Sequence, residues 1–371
     1  MVSVLLFDNF VIEVSLRCVG GKLSNYPYPD IKYYPSNAVL EMSLLCNMRC
    51  RHCGSRAGIP RKNELSIAEW LHVAQQLIDM GVEHVTLIGG EIFFIKDWDI
   101  VALKFAEAGV ETRIITNAYQ INDEEIKKIK TSKIASVSVS LDGFRETHNN
   151  IRGKKDSFEK AVNAFDRFNT EKIAFAVVTT LLDSNFHDLE EMYNLILAKG
   201  AFCWQLQLAS PMGNASEQVD FLINPNKVHT LIEFIKEKKK LGKLRIEVGD
   251  NLCYKENCTL EESYHSSGHN KWFGCMAGLF VIGIDSIGNV KGCESLYSDK
   301  FIEGNIRNES LYDIWNKKGA FAYNRDFKPE MLGGKCKSCD KSAWCAGGCR
   351  QLSYFTSGSC HESIYCNYVK S

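Results

Sequence analysis

Little in this 371-residue chain favours one sign of charge: 44 Lys and Arg stand against 45 Asp and Glu, a formal net charge of −1. Without an overall basic field, nothing draws the chain to nucleic acid or to anionic lipid. No apolar run approaches the roughly 20 residues that a membrane helix needs. The N-terminus, MVSVLLFDNF, also lacks the cationic start and long apolar stretch of a secretion signal. The expectation is a cytoplasmic protein with no membrane and no nucleic-acid partner. Internal repeats and low-complexity tracts are missing as well. What the chain has in excess is cysteine, 15 in all, nine of them between Cys258 and Cys366. Small secreted domains use dense cysteine as staples, but 45% hydrophobic residues over this length supply a core without them. Metal or metal-cluster ligation is the expected use.

Residues 1–36 read as an N-terminal extension. From 37 to 242, short β-branched runs alternate with stretches of helical periodicity. The expected strands are 38–43, 84–88, 111–115, 135–141, 173–180 and 203–208. The expected helices are 66–80, 98–108, 123–131, 156–168, 187–198 and 225–241. Such alternation implies right-handed βαβ units on a parallel sheet. Six units make an α/β fold, a partial (β/α)6 TIM-like barrel, with its chemistry at the C-terminal ends of the strands. From 243 to 371 the pattern changes to short segments, Gly-rich turns and cysteines, with one helix near 309–318. This second domain is expected to depend on metal for cohesion.

Directly after the first strand comes Cys46-Asn-Met-Arg-Cys50-Arg-His-Cys53, a C-x3-C-x2-C spacing. Three thiolates on one tight loop suit three irons of a cubane cluster and leave the fourth iron open. A zinc ion would need a fourth ligand, and His52, adjacent to Cys53, is poorly placed to share one tetrahedron with it. The spacing, its position and the aromatic His52 resemble the radical S-adenosylmethionine (radical SAM) enzymes. Gly89-Gly90-Glu91 at the second strand end is similar to that family's GGE motif, which receives the methionyl amino group of SAM, although Ile92 stands where many relatives have Pro. Thr116-Asn117-Ala118 resembles its TNG. Ser140-Leu141-Asp142-Gly143, with His148, Arg152 and Gly153, resembles its S-x-D-G…H…R-G stretch. The resemblance implies that His52, Gly89, Gly90, Glu91, Asn117, Ser140, Asp142 and Arg152 bind SAM. The polar groups would meet ribose hydroxyls, and Arg152 the carboxylate.

Cys275, Cys293, Cys336, Cys339, Cys345, Cys349 and Cys366 look like the seven-cysteine SPASM signature of radical SAM peptide maturases. Together the two resemblances cover about residues 38–371. A pair of structural zinc sites is the plainer alternative for the C-x2-C pair. The resemblance implies three 4Fe–4S clusters, one that binds SAM and two auxiliary. By analogy one auxiliary cluster takes Cys258 (or Cys253), Cys275, Cys293 and Cys349, and the other Cys336, Cys339, Cys345 and Cys366. Cys360 competes with Cys366. Cys203, which opens the sixth strand, is either a hydrogen-atom donor to a substrate radical or a packed core cysteine.

The implied chemistry is reductive cleavage of SAM to methionine and a 5′-deoxyadenosyl radical that takes a hydrogen atom from an unactivated C–H. The leading expectation is a maturase of a ribosomally made precursor peptide or protein, giving a thioether or C–C crosslink, another oxidation or an epimerisation. The alternatives are an anaerobic sulfatase maturase, a radical enzyme acting on a small molecule such as a tetrapyrrole, and an iron–sulfur electron-transfer module that never cleaves SAM. Expected partners are the peptide, an external electron donor such as flavodoxin or ferredoxin, and a separate leader-binding protein.

Overall fold

The computed structural model describes residues 33–218, 221–250, 274–340 and 342–366. Seven parallel strands follow one another in sequence and in space: β1 (Asn37–Glu41), β2 (His84–Ile88), β3 (Glu111–Thr116), β4 (Ser136–Ser140), β5 (Phe175–Leu181), β6 (Cys203–Leu208) and β7 (Arg245–Val248). Helices α1 (Ile67–Asp79), α2 (Trp98–Glu107), α3 (Asp123–Thr131), α4 (Arg145–Arg152), α5 (Ser157–Glu171), α6 (Leu189–Ala198) and α7 (Val228–Leu241) connect them. The strand pattern explains the layering. In β4, Val137 and Val139 are fully buried in the main hydrophobic core, while Ser136, Ser138 and Ser140 alternate with them on the other face. On α5 the buried Phe158, Ala161, Phe165 and Phe168 recur at helical spacing and face that same core. A capping box starts α1, with Ser66 accepting from the Glu69 amide and Glu69 from the Ser66 amide.

Two departures from the sequence expectation matter. The six expected strands are present, but β7 adds a seventh in parallel to β6, beyond the residue-242 boundary. On the other side, β8 (Val281–Ile284) pairs in parallel with β1, and β9 (Asn289–Lys291) and β10 (Gly304–Asn305) follow antiparallel. One ten-stranded sheet therefore runs through both halves, with β10 and β7 at its edges. The second half also shares the apolar core of the first. Ile282, Ile284, Leu311, Ile314 and Trp315 join the main core. The helix Leu311–Asn316 lies against α1, where the Leu311 amide donates to Gln76 Oε1 at 2.8 Å. Phe327, Leu332, Cys336 and Ala346 form a small separate core.

Candidate functional site

The loop leaving β1 carries Cys46, Cys50 and Cys53, and all three line one cleft, partly open to solvent, at the C-terminal ends of the strands. Gly89, Gly90, Asn117, Ser140 and Arg152 line it too, together with His52. Each sulfur has a donor beside it. The Met48 amide donates to Cys46 Sγ (3.4 Å) and the Ala57 amide to Cys53 Sγ (3.3 Å), while Arg152 Nη1 lies 3.8 Å from Cys50 Sγ. Burial pushes the Cys46 thiol up to about 12 and raises that of Cys50, so an empty loop holds these groups protonated and ligation must displace the protons. Three thiols with a hydrogen-bond donor at each fit an iron–sulfur cluster. Among the described residues no three His, Cys, Asp or Glu side chains converge closely enough to hold a single metal ion.

The glycines also serve a packing purpose. A Cβ on Gly90 would fall 2.2 Å from the Leu45 carbonyl oxygen, and one on Gly89 2.4 Å from that of Ser43. Their absent side chains let the end of β2 press against the root of the cysteine loop, with the Gly90 amide donating to Ser43 O and the Glu91 amide to Leu45 O. The same closeness recurs after β6, where a Cβ on Gly213 would meet the Cys53 carbonyl at 2.3 Å. Asn214 then bonds Cys53 O through its amide and Cys50 O through Nδ2, both at 2.9 Å. The sequence does not reveal Asn214; nothing local marks it as a clamp on a loop 164 residues away.

Two residues expected to touch SAM are turned elsewhere. Asp142 is fully buried and does not line the cleft. Its carboxylate meets Arg152 at 2.6 Å and His52 Nε2 at 3.4 Å, and accepts from the Thr180 amide. Burial pushes the carboxyl up, but Arg152 and the other donors outweigh it and hold it below its usual range. Asp142 thus positions Arg152, which does face the cleft. The Asp142 amide donates to His148 Nδ1 at 3.0 Å, and α4, too polar at RETHNNIR to read as a helix, puts His148 and Arg152 one turn apart on its buried face. Burial lowers both His52 and His148 to about 3, so both are neutral at pH 7.

Glu91 accepts from Thr116 Oγ1 (2.7 Å) and the Asn117 amide (2.8 Å), tying the ends of β2 and β3 together instead of facing the cleft. Burial pushes its carboxyl up to about 7 against these hydrogen bonds. A carboxyl raised in the folded state stabilises below its unfolded pKa, and that contribution is lost as pH rises to about 7. The shift corresponds to about 3 kcal/mol. Glu91→Gln should therefore flatten the fall in stability of cluster-free protein between about pH 4.5 and 7; urea titrations at both ends check this, and an unchanged slope would contradict it.

Cys203 is not brought to the cleft. It begins β6, at the opposite strand end, buried among Val39, Ile88, Ile115 and Ala176. The remaining cysteines fall into two groups. Cys275 and Cys293 both act on the ionisation of Cys349, after burial and Asp250. Cys336 and Cys345 both sense Cys366, and Cys336 also senses Cys339. Cys349 therefore leaves its sequence neighbours for the earlier pair. Cys360 lies near Arg350, Lys300 and Cys275, and so beside the first group instead of with Cys366. Cys258 and Cys253 lie outside the described residues.

Residues 40–196 match the radical SAM superfamily, and residues 275–340 match SPASM, an iron–sulfur cluster-binding domain. The chain is 27% identical over 342 residues to the AdoMet-dependent heme synthase of Methanosarcina barkeri, covering 88% of this chain and 95% of that one. It is 28% identical over 327 residues to the mycofactocin maturase MftC of Mycolicibacterium smegmatis, covering 85% and 78%. Among solved structures, Streptococcus suis SuiB bound to its precursor peptide SuiA superimposes with a TM-score of 0.74 at 19% identity, over 92% of this chain and 77% of SuiB. anSMEcpe with AdoMet and the Cp18Cys peptide gives 0.67 at 19% identity, over 89% and 93%. The two matched domains imply SAM and iron–sulfur clusters as cofactors, and among the described residues no helix is long and apolar enough to cross a membrane. With its cysteine loop at the head of a parallel barrel and a cysteine-rich segment joined to the same sheet, the chain belongs to the radical SAM superfamily of enzymes and carries a C-terminal SPASM domain.

Proposed function

We propose that this enzyme takes a hydrogen atom from a residue of a ribosomally made peptide or protein by way of a 5′-deoxyadenosyl radical, leaving an oxidised product such as a crosslink. Cys46, Cys50 and Cys53 would hold the cluster that binds SAM. Cys275, Cys293 and Cys349, completed by Cys258 or Cys253, would hold one auxiliary cluster, and Cys336, Cys339, Cys345 and Cys366 the other. A cluster held by these three thiolates would supply the single electron for cleavage of a sulfonium C–S bond of SAM. The chain's own residues do the rest. Arg152, held by Asp142, offers a fixed cation to the methionyl carboxylate. Asn117 and Ser140 present polar groups at the cleft wall for ribose hydroxyls, and Gly89 and Gly90 expose main chain beside the ammonium.

One observation carries the oxidative part of this reading. Asp250 accepts from the Leu208 amide at the end of β6 (2.9 Å), and its other oxygen lies 3.7 Å from Cys349 Sγ. The next residue back, Gln207, lines the cleft. An auxiliary group thus adjoins the strand end that would face the substrate, where it suits removal of a second electron. Asp250→Asn takes a negative charge from beside that sulfur and should raise the reduction potential of the Cys349 cluster, read by redox titration; an unmoved or lowered potential would contradict the placement. The peptide class is supported by the likeness to a named maturase over most of the chain, and by the peptide-bound structures of similar fold. A second reading, heme synthesis, is favoured by the match to 95% of the M. barkeri enzyme. Mass spectrometry after anaerobic turnover decides between them. A mass change in a candidate precursor peptide supports the maturase; conversion of a tetrapyrrole with no peptide change overturns it.

A further inference from the structure

The reaction consumes an electron that must reach the loop of Cys46, Cys50 and Cys53 from outside the chain, and the surface covering that loop is not neutral. The turn after α4 rests on it: a Cβ on Gly153 would lie 3.4 Å from the carbonyl oxygen of Arg49, the residue next to Cys50. Arg49 and Lys155 are exposed and Lys154 is half-buried. Lys154 Nζ stands 5.5 Å and the exposed Lys160 Nζ 5.9 Å from the centre of the Tyr119 ring, which itself packs against the small apolar cluster that contains Cys50 and Cys53. Two carboxylates share this face and both are engaged, Asp156 by the Tyr119 hydroxyl at 2.7 Å and Glu159 by Arg145. Four cations therefore stand on or beside the thiol loop, Arg49 within it with Nη1 on the Cys46 and Met48 carbonyls, Lys154 and Lys155 in the turn against it and Lys160 by the Tyr119 ring, in a chain whose net charge is −1.

We infer that the face formed by Arg49, Lys154, Lys155 and Lys160 is where an acidic one-electron carrier protein docks to reduce the cluster held by Cys46, Cys50 and Cys53. The inference rests on the cluster assignment proposed above and names the surface through which that site is fed. One electron leaves the reduced carrier, which is oxidised by one electron, and the cluster is reduced by one. Charge complementarity serves such a contact in two ways: it steers encounter, raising association rates by roughly 10–10³-fold at low salt, and it fixes the orientation that brings the carrier's redox centre over the loop. A second cationic pair, the exposed Lys335 and Lys337 flanking Cys336, lies on the other cysteine group and is the natural rival entry point.

The test uses an acidic flavodoxin as the carrier and the full, reconstituted chain. Binding of oxidised flavodoxin is measured by surface plasmon resonance at low and at raised salt, and carbodiimide cross-links between its carboxylates and lysines are mapped by mass spectrometry. The expected results are cross-links at Lys154, Lys155 or Lys160, and binding at least about tenfold weaker for the Lys154→Glu, Lys155→Glu, Lys160→Glu triple variant. In that variant 5′-deoxyadenosine formation driven by flavodoxin falls while formation driven by dithionite is unchanged, which separates docking from loss of the site itself. Cross-links confined to Lys335 and Lys337, or Lys335→Glu and Lys337→Glu carrying the effect instead, would overturn the proposal. So would wild-type binding that does not weaken with salt, an outcome that depends on no variant.

Discussion

Replacing Cys50 by Ala is expected to reduce SAM cleavage to the level of a protein-free control, whereas Cys339→Ala spares at least part of it and stops substrate turnover. The asymmetry follows from geometry. Cys50 is one of three thiols in a single cleft, with Arg152 on its sulfur and its main chain clamped by Asn214; if these are the three ligands proposed, losing one should remove the cluster on which cleavage depends. Cys339 belongs to the group with Cys336, Cys345 and Cys366, whose surroundings form a separate small core. Its loss should leave the barrel and its cleft intact. Deoxyadenosine and modified product, measured side by side on each variant, give the answer. Full turnover by Cys339→Ala would remove the auxiliary group from the mechanism.

The second large effect concerns stability. Asp142→Ala should cost about 3–5 kcal/mol, a sizeable share of the 5–15 kcal/mol that holds a typical domain together. Asp142 and Arg152 are both buried and meet at 2.6 Å, so removing the carboxylate strands a guanidinium that cannot lose its proton. The double variant Asp142→Ala, Arg152→Met should recover much of that loss, because the penalty lies in the unpaired charge and not in the missing pair. Urea denaturation of single and double variants checks this. A double variant as unstable as the single one would place the cost elsewhere, in the Thr180 amide left without its acceptor.

Strands β1 to β6 and the three cysteines of the loop were legible because each rests on local pattern: runs of buried β-branched residues, and a spacing that only a tight loop explains. The misses share a different cause. β7 is four residues, RIEV, with two charges, and exists because β6 offers it a free edge. α4 holds together through the packing of Ile151 and through His148 and Arg152 meeting Asp142, contacts invisible in its polar sequence. Asp142 and Glu91 were read as ligand-facing because carboxylates at strand ends suit ammonium and hydroxyl groups. Which way each turns was decided by partners from other elements, Arg152 for one and Thr116 for the other. The regrouping of Cys349 with Cys275 and Cys293 was expected only through family resemblance, since spacing alone would pair it with Cys345.

The most direct test of the account is 5′-deoxyadenosine formation by anaerobically reconstituted, dithionite-reduced protein supplied with SAM, beside a variant with Cys46, Cys50 and Cys53 all changed to Ala. The account predicts deoxyadenosine from the first and none from the second. Equal production by both, or none from wild-type protein that carries its full iron and sulfide in the presence of its peptide, would contradict the assignment of the loop as the site of SAM cleavage.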